Sequence, residues 1–429
     1  MTLYKTSFLS AIATIVRIIS GFLITKIIAV YIGPAGLAVI GQLQNFTNIM
    51  LIFSGGFLKT AITKYTAEYK DEEIKQYNLW SSAIVIIFIL NIFIFIVLFL
   101  FANSISLYLL HNNEYNYIFK ILSISLPFFV LNTMLMSILN GRRQIKKYIL
   151  LNILLSLISL SIVVILSILY GLKGTLIAYT TNQSIVFVFT FFFVKNEFWF
   201  KLNNFTKGIN KEDVRKLINF AMITLTAILS SNISIIYIRD FVVEMFSTKE
   251  AGYWQGIWIL SQVSLSLITT SLGTYFLPTI SSMKSKNDIS NELKKAFILM
   301  IPIAIVISLS IYLLRETIIC LLYTQKFMPM KELFLWQMIG NVIKVCGWLF
   351  GYILVAKAMV KYTVSAEITF ASTFILLSMF CVNYYGLIGL TYAYAINSSI
   401  YLVSMFYIYK VKLPKENYDS KSNNSYPNL

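Results

Sequence analysis

The twenty residues from Ala83 to Ala102 contain a single polar side chain, Asn91. At ~1.5 Å per residue, a helix of that length spans a hydrocarbon core of roughly 30 Å. The segment is one of many, because 58% of the 429 residues are hydrophobic. A soluble chain of this length cannot hide that much apolar surface, so the sequence reads as an all-α polytopic membrane protein. The expected spans are 8–32, 37–62, 79–101, 117–140, 149–170, 172–194, 217–243, 251–281, 296–314, 332–356, 361–382 and 386–409. The first is too long for a signal-peptide core and is interrupted by Arg17 and Lys26, so it is read as a retained helix. Gly33-Pro34-Ala35-Gly36, Tyr170-Gly171-Leu172-Lys173-Gly174 and Tyr385-Gly386 supply turn chemistry between antiparallel helices.

The net charge of +17 would suggest nucleic acid in a soluble protein, but here its distribution gives a topology instead. With the N-terminus inside, the inner segments hold 25 Lys and Arg and the outer ones 6. That asymmetry predicts an even number of helices, about twelve, with both termini in the cytoplasm. The inner loop at about 195–216 divides them into lobes at 1–205 and 206–410, followed by a polar tail at 411–429. The halves are weakly alike. Ala35-Gly36 and Ala251-Gly252 open the second helix of each, and both of those helices carry amides before a glycine stretch, Gly55-Gly56 or Gly273. Six helices per half gives parallel repeats, which places the expected pathway in a central cleft.

No Cys/His spacing suits a metal, and Cys320, Cys346 and Cys381 read as structural thiols. No nucleophile–base pair or phosphate-cradling Gly loop is present, so no cofactor is called for. His111 lies among polar loop residues and reads as solvated. The largest outer loop, 102–117, is about sixteen residues, too small for a polymerase working on the outer face.

An ionisable side chain at membrane depth costs at least ~2.5–3.5 kcal/mol and needs a reason. Four basic residues lie within spans: Arg17 and Lys344 near the midplane, Lys26 and Arg239 in the outer halves of their helices. Arg17 and Lys26 are nine residues apart, about 180° around a helix, and share a cavity only if Ser20-Gly21 bends. The acids within spans are Asp240, Glu244 and Glu367, read as coupling or salt-bridge groups; spans one to six hold none. Gln337, Asn341, Lys344 and Trp348 form one stripe of span ten, which must face protein or water. Gln255, Trp258, Gln262, Ser266, Thr269 and Gly273 form a similar face in span eight, and Gln44 and Asn48 mark its counterpart in span two. Amides, an ammonium and an indole suit a sugar-phosphate. Gly347 and Gly351 make a close-packing step. Pro278 and Pro302 are candidate kinks. A cavity with Arg17 and Lys344 at depth favours anions, phosphate above all.

Specific strings add to this reading. They are Gly33-Pro34-Ala35-Gly36-Leu37, Thr63-Lys64-Tyr65, Trp254-Gln255-Gly256, Tyr275-Phe276-Leu277-Pro278-Thr279, Leu313-Leu314-Arg315, Lys326-Phe327, Leu333-Phe334-Leu335-Trp336-Gln337, Ile343-Lys344-Val345, Phe350-Gly351-Tyr352 and Ala356-Lys357-Ala358. In these the chain resembles, nearly end to end, the bacterial flippases for lipid-linked oligosaccharides. That family includes the O-antigen translocases and the flippases of the enterobacterial lipid III precursor. It shares a superfamily fold with the multidrug and toxin extrusion (MATE) transporters. The resemblance implies a MATE-like fold in the bacterial inner membrane. It also implies an undecaprenyl-pyrophosphate oligosaccharide as substrate, flipped to the periplasmic leaflet by alternating access. A polysaccharide polymerase and a chain-length regulator are implied as partners. Arg17, Lys26, Arg239, Lys344 and Glu367 match charged positions of the family, whereas Asp240 departs from it, where a basic residue is expected. Two other readings stay open. One is a drug or cation antiporter on the same fold, which the lack of acids in spans one to six disfavours. The other is a polymerase or ligase, which the short outer loops disfavour.

Overall fold

A computed structural model describes residues 3–208, 210–283, 285–357 and 359–412. Apart from Val411 and Lys412, the expected polar tail lies outside the described residues. Nine stretches of the described residues are long and apolar enough to cross a membrane, which makes this a multi-pass membrane protein. Two of them, Ile145–Val194 and Val360–Lys412, run 50 and 53 residues, about twice what a bilayer needs. Each is interrupted by a glycine at positive φ, Gly171 (56°) and Gly386 (64°), at the turns expected from sequence. The expected spans fall largely on helix, with 37–62 broken at Ser54-Gly55.

The chain forms two compact units. The first, Met1–Gly252 with Leu321–Lys326, contains α1 (Leu3–Tyr31), α2 (Gly33–Phe53), α3 (Lys59–Glu68), α4 (Glu73–Leu100), α5 (Ala102–Leu110), α6 (Asn116–Gly141), α7 (Ile145–Val194) and α8 (Lys211–Met245). The second, Tyr253–Cys320 with Phe327–Leu429, contains most of α9 (Thr248–Ser271), α10 (Leu277–Ser282), α11 (Lys286–Leu313), most of α12 (Arg315–Leu322), α13 (Phe334–Ala356), α14 (Val360–Tyr385) and α15 (Gly389–Lys412). Compactness and sequence order divide the chain differently, because α8 packs on α2, α3 and α4. The segment 102–117, expected as an outer loop, is itself mostly helix: α5 fills 102–110 and buries Leu109 and Leu110.

Asn91 shows how one polar residue serves an apolar helix. Helix α2 breaks after Phe53, where Gly55 turns left-handed (φ 110°) before a 3-10 turn at Gly56–Leu58. A break at membrane depth frees carbonyls that lipid cannot solvate. Asn91 on α4 donates Nδ2 to the Ser54 carbonyl at 2.8 Å and to its own Ile87 carbonyl at 2.7 Å. A Cβ on Gly55 would come within 2.8 Å of Ile87 Cγ1, so both the backbone angle and the space require glycine. The matching helix of the second half is interrupted by a π segment, Leu272–Phe276, around Gly273, with Pro278 in the first turn of α10.

The segment between α7 and α8 is a folded plug. Trp199 and Phe205 bury against Trp80 of α4, with ring centroids 5.5 and 5.7 Å away. The Ser81 and Ser82 hydroxyls each accept a backbone N–H, from Gly208 and Asn210, at 3.0 Å. Glu197 pairs with Lys147 and accepts from Gln144 at 2.8 Å.

In the second unit, α13 and α15 meet along a groove of glycines. A Cβ on Gly340 would lie 2.5 Å from the Tyr394 ring, and one on Gly347 would lie 2.5 Å from the Tyr401 ring. Both pairs are seven residues apart, so two tyrosines of α15 seat two turns apart on α13. Gly347 and Gly351 thus serve close packing with an aromatic partner. Cys381 is buried and Cys346 half-buried, but Cys320, on α12, is exposed.

Candidate functional site

Arg17 and Lys26 stand on opposite faces of α1, which stays helical through Ser20 and Gly21 without a break. The Arg17 side chain is exposed, whereas Lys26 is half-buried and donates to the Tyr323 carbonyl at 2.5 Å. Arg239, on α8, is 1% exposed. Its Nη1 donates to Gln42 Oε1 of α2 at 2.7 Å, and Gln42 Nε2 donates back to the Ile236 carbonyl at 3.2 Å. The Asn45 amide, oriented oxygen-first, accepts from Nη1 and Nη2 at 3.1 and 3.2 Å and donates to Asn232 at 3.2 Å. Exposed Asn48 reaches the same Asn232 oxygen at 3.3 Å. Arg239 is therefore sealed between α2 and α8 by carboxamides. Gln44 points elsewhere, toward Tyr179 of α7. Asp240 pairs with His111 Nε2 at 2.8 Å, tying the start of the loop after α5 to α8, while Glu244 is exposed.

The second unit carries a buried polar network beside an aromatic seat. Gln337 Nε2 donates to Ser261 Oγ at 3.1 Å, and that hydroxyl donates to Asn341 Oδ1 at 2.6 Å. The Tyr394 hydroxyl donates to the same oxygen at 2.9 Å, and Asn341 Nδ2 reaches Ser264 at 3.3 Å. Gln337 and Asn341 are buried, at 0% and 2% exposure. The network fixes the Tyr394 ring, which Trp258 meets edge-on at 5.8 Å, with Phe374 stacked on Trp258 at 6.3 Å. Lys344 lies across this seat. Its Nζ sits over the Tyr394 ring at 5.0 Å and over the Trp348 ring at 5.5 Å. Among the described residues Lys344 has no hydrogen-bond acceptor and no ion-pair partner. Glu367 lies near enough to feel its charge but beyond salt-bridge distance. Gln255 is buried near the start of α9, and Gln262 is exposed on it.

A model of the polysaccharide biosynthesis protein family matches residues 3–284. The chain belongs to that family. Among its relatives are the lipid III flippases of Escherichia coli (strain K12) and Shigella flexneri. Each is 27% identical over 403 residues, covering 94% of this chain and 96% of the relative. Similar solved structures include a MATE family multidrug transporter in an inward-facing conformation. It has a TM-score of 0.78 and 14% identity, covering 93% of this chain and 98% of that one. A lipid II flippase in an inward closed conformation gives a TM-score of 0.73 and 17% identity, covering 96% and 88%. These likenesses make the fold MATE-like, as expected from sequence.

Within this polysaccharide biosynthesis protein, several contacts of the expected residues come from side chains that the sequence reading did not single out. Gln42 and Asn45 hold Arg239. Ser261 and Ser264 meet the amides of α13. Tyr394 and Phe374 build the seat, and the matched seven-residue spacing of Gly340 and Gly347 with Tyr394 and Tyr401 was a readable sign of that contact.

Proposed function

We propose that this protein is a flippase carrying an undecaprenyl-pyrophosphate-linked oligosaccharide from the cytoplasmic to the periplasmic leaflet of a bacterial inner membrane. Lys344 carries the reading. A half-buried ammonium resting on two aromatic faces, with no carboxylate within salt-bridge distance among the described residues, keeps its N–H donors for an anionic ligand. The cation–π contacts are worth about 0.5–2 kcal/mol, less than the cost of an intramembrane charge. A pyrophosphate passing the site would supply the remainder. We assign Arg17 as a second head-group contact, because its guanidinium is exposed on a membrane helix. The names of the lipid III flippase relatives support the same substrate class. Export of an anion from a negative interior gains roughly 2.3 kcal/mol per charge per 100 mV.

The proposed topology has twelve crossings in two six-helix lobes, with both termini cytoplasmic. A polymerase and a chain-length regulator would receive the product. Cation extrusion is the second reading, favoured by the MATE structures and opposed by the basic character of Arg17 and Lys344. The test is charge neutralisation. Arg17→Gln and Lys344→Gln should abolish surface polysaccharide at normal membrane levels. Full surface polysaccharide in both variants, or drug resistance on overexpression, would overturn the assignment.

A further inference from the structure

The second unit holds an open-mouthed cavity of about 320 Å³ lined by α9, α13, α14 and α15. Trp348, Tyr352, Tyr401, Thr363 and Glu367 line it. Two of its polar side chains are already engaged: Tyr352 donates to the Thr269 carbonyl at 3.5 Å and Thr363 to the Met359 carbonyl at 3.2 Å. The Glu367 carboxylate and the Tyr401 hydroxyl are not, because neither makes a hydrogen bond or ion pair among the described residues. Gly351 leaves room for that hydroxyl, since a Cβ there would lie 2.5 Å from it. Phe370 holds the Tyr401 ring edge-on at 4.9 Å.

A single carboxylate in an aromatic-walled cavity of this size fits a small, flat, hydroxyl-bearing ligand. Such a carboxylate accepts strongly from O–H or N–H and repels a second carboxylate. Thr363 and Glu367 lie in the first turns of α14 and Val355 at the end of α13. On the proposed topology that is the cytoplasmic side, where a lipid-linked glycan is loaded.

We propose that this cavity is a pyranose subsite that takes one neutral or amino sugar of the glycan, with Glu367 accepting from its O–H or N–H, and that it excludes uronic acids. The Tyr401 hydroxyl supplies the second hydrogen bond, and the rings of Trp348 and Tyr352 the apolar walls. This rests on the flippase reading and adds to it the chemistry of one sugar.

The experiment is saturation-transfer NMR on the full-length protein in detergent micelles. The probes are methyl glucoside, methyl N-acetylglucosaminide and methyl glucuronide, and the same preparations are assayed for lipid flipping in vesicles. The first two glycosides should bind and the glucuronide should not. Glu367→Gln should weaken the first two about tenfold, the loss of one charge-assisted hydrogen bond, and should admit the glucuronide. Tyr401→Phe, which removes only an oxygen, should weaken binding several-fold and leave the exclusion intact. Equal binding of all three glycosides, or binding unchanged in both variants, overturns the subsite. Glycoside binding without lipid flipping keeps the subsite and removes the flippase reading; flipping without glycoside binding does the reverse.

Discussion

Arg239 in the first unit and Lys344 in the second are both basic residues on membrane helices, yet the fold treats them in opposite ways. Arg239 is fully buried, and its guanidinium donates into the amides of Gln42 and Asn45. Lys344 is half-buried and rests on the faces of Trp348 and Tyr394, which attract its charge without accepting its protons in hydrogen bonds. A planar, rigid fork of donors suits a fixed clamp, and a compact ammonium on a flexible stem suits a passing ligand. An ionisable residue in a membrane helix is therefore a question about its partners. Charge alone does not separate a structural cation from a functional one.

Neutralising the two residues should break the comparison most visibly. Lys344→Met should reduce surface polysaccharide at least about 100-fold, as removal of one partner of a desolvated charge pair costs roughly 3–5 kcal/mol. Its thermal unfolding in detergent should stay close to that of the unmodified protein. Arg239→Met should do the reverse in kind. Leaving Gln42 and Asn45 without their donor should cost ~3 kcal/mol of stability, read as a lower melting temperature and lower membrane abundance.

Asn341→Leu tests whether the buried network positions the seat. The substitution strands the hydroxyls of Ser261 and Tyr394, at a cost of about 1–3 kcal/mol. Transport should fall roughly tenfold through the loosened Tyr394 ring, with the ligand's apparent affinity falling more than the rate. Wild-type affinity in this variant would reduce the network to packing alone.

The smallest effect belongs to the plug between α7 and α8. Burial alone would raise the Glu197 carboxyl, but hydrogen bonds from Lys147 and Gln144, and the Lys147 charge, outweigh burial and bring it below the usual range. The pairing therefore stabilises the plug above the ordinary glutamate pKa and is lost as pH falls through the lowered value. Lys147 is well exposed, so the contribution should stay under about 1 kcal/mol. Hydrogen exchange across 195–210 should quicken at acid pH, and Glu197→Gln should remove that dependence.

The sequence made the membrane helices legible, since long apolar runs and glycine turns are properties of single segments. It also marked the face of α13 that carries Lys344. What it could not show is which neighbour supplies each partner. The stripe of Gln337, Asn341, Lys344 and Trp348 reads as one polar face, yet the fold buries its first half against Ser261 and leaves Lys344 and Trp348 only half-buried. Ser261 was hidden because serine is common in such helices and gives no periodic signal of its own. His111 is exposed, in keeping with its reading as a solvated loop residue, but its partner, Asp240, lies 129 positions away in sequence and gave no local sign. Helix α5 was missed because nine residues are too few to cross a bilayer, and membrane-length patterns were the signal being read.

The most direct measurement places the purified protein in vesicles and follows a fluorescent short-chain polyprenyl-pyrophosphate disaccharide across the bilayer. Unmodified protein should move it, Lys344→Arg should retain a substantial rate, and Lys344→Met should fall to the rate of protein-free vesicles. Transport by Lys344→Met at the unmodified rate would contradict the account, because the ammonium on its aromatic seat would then have no part in handling the anionic head group.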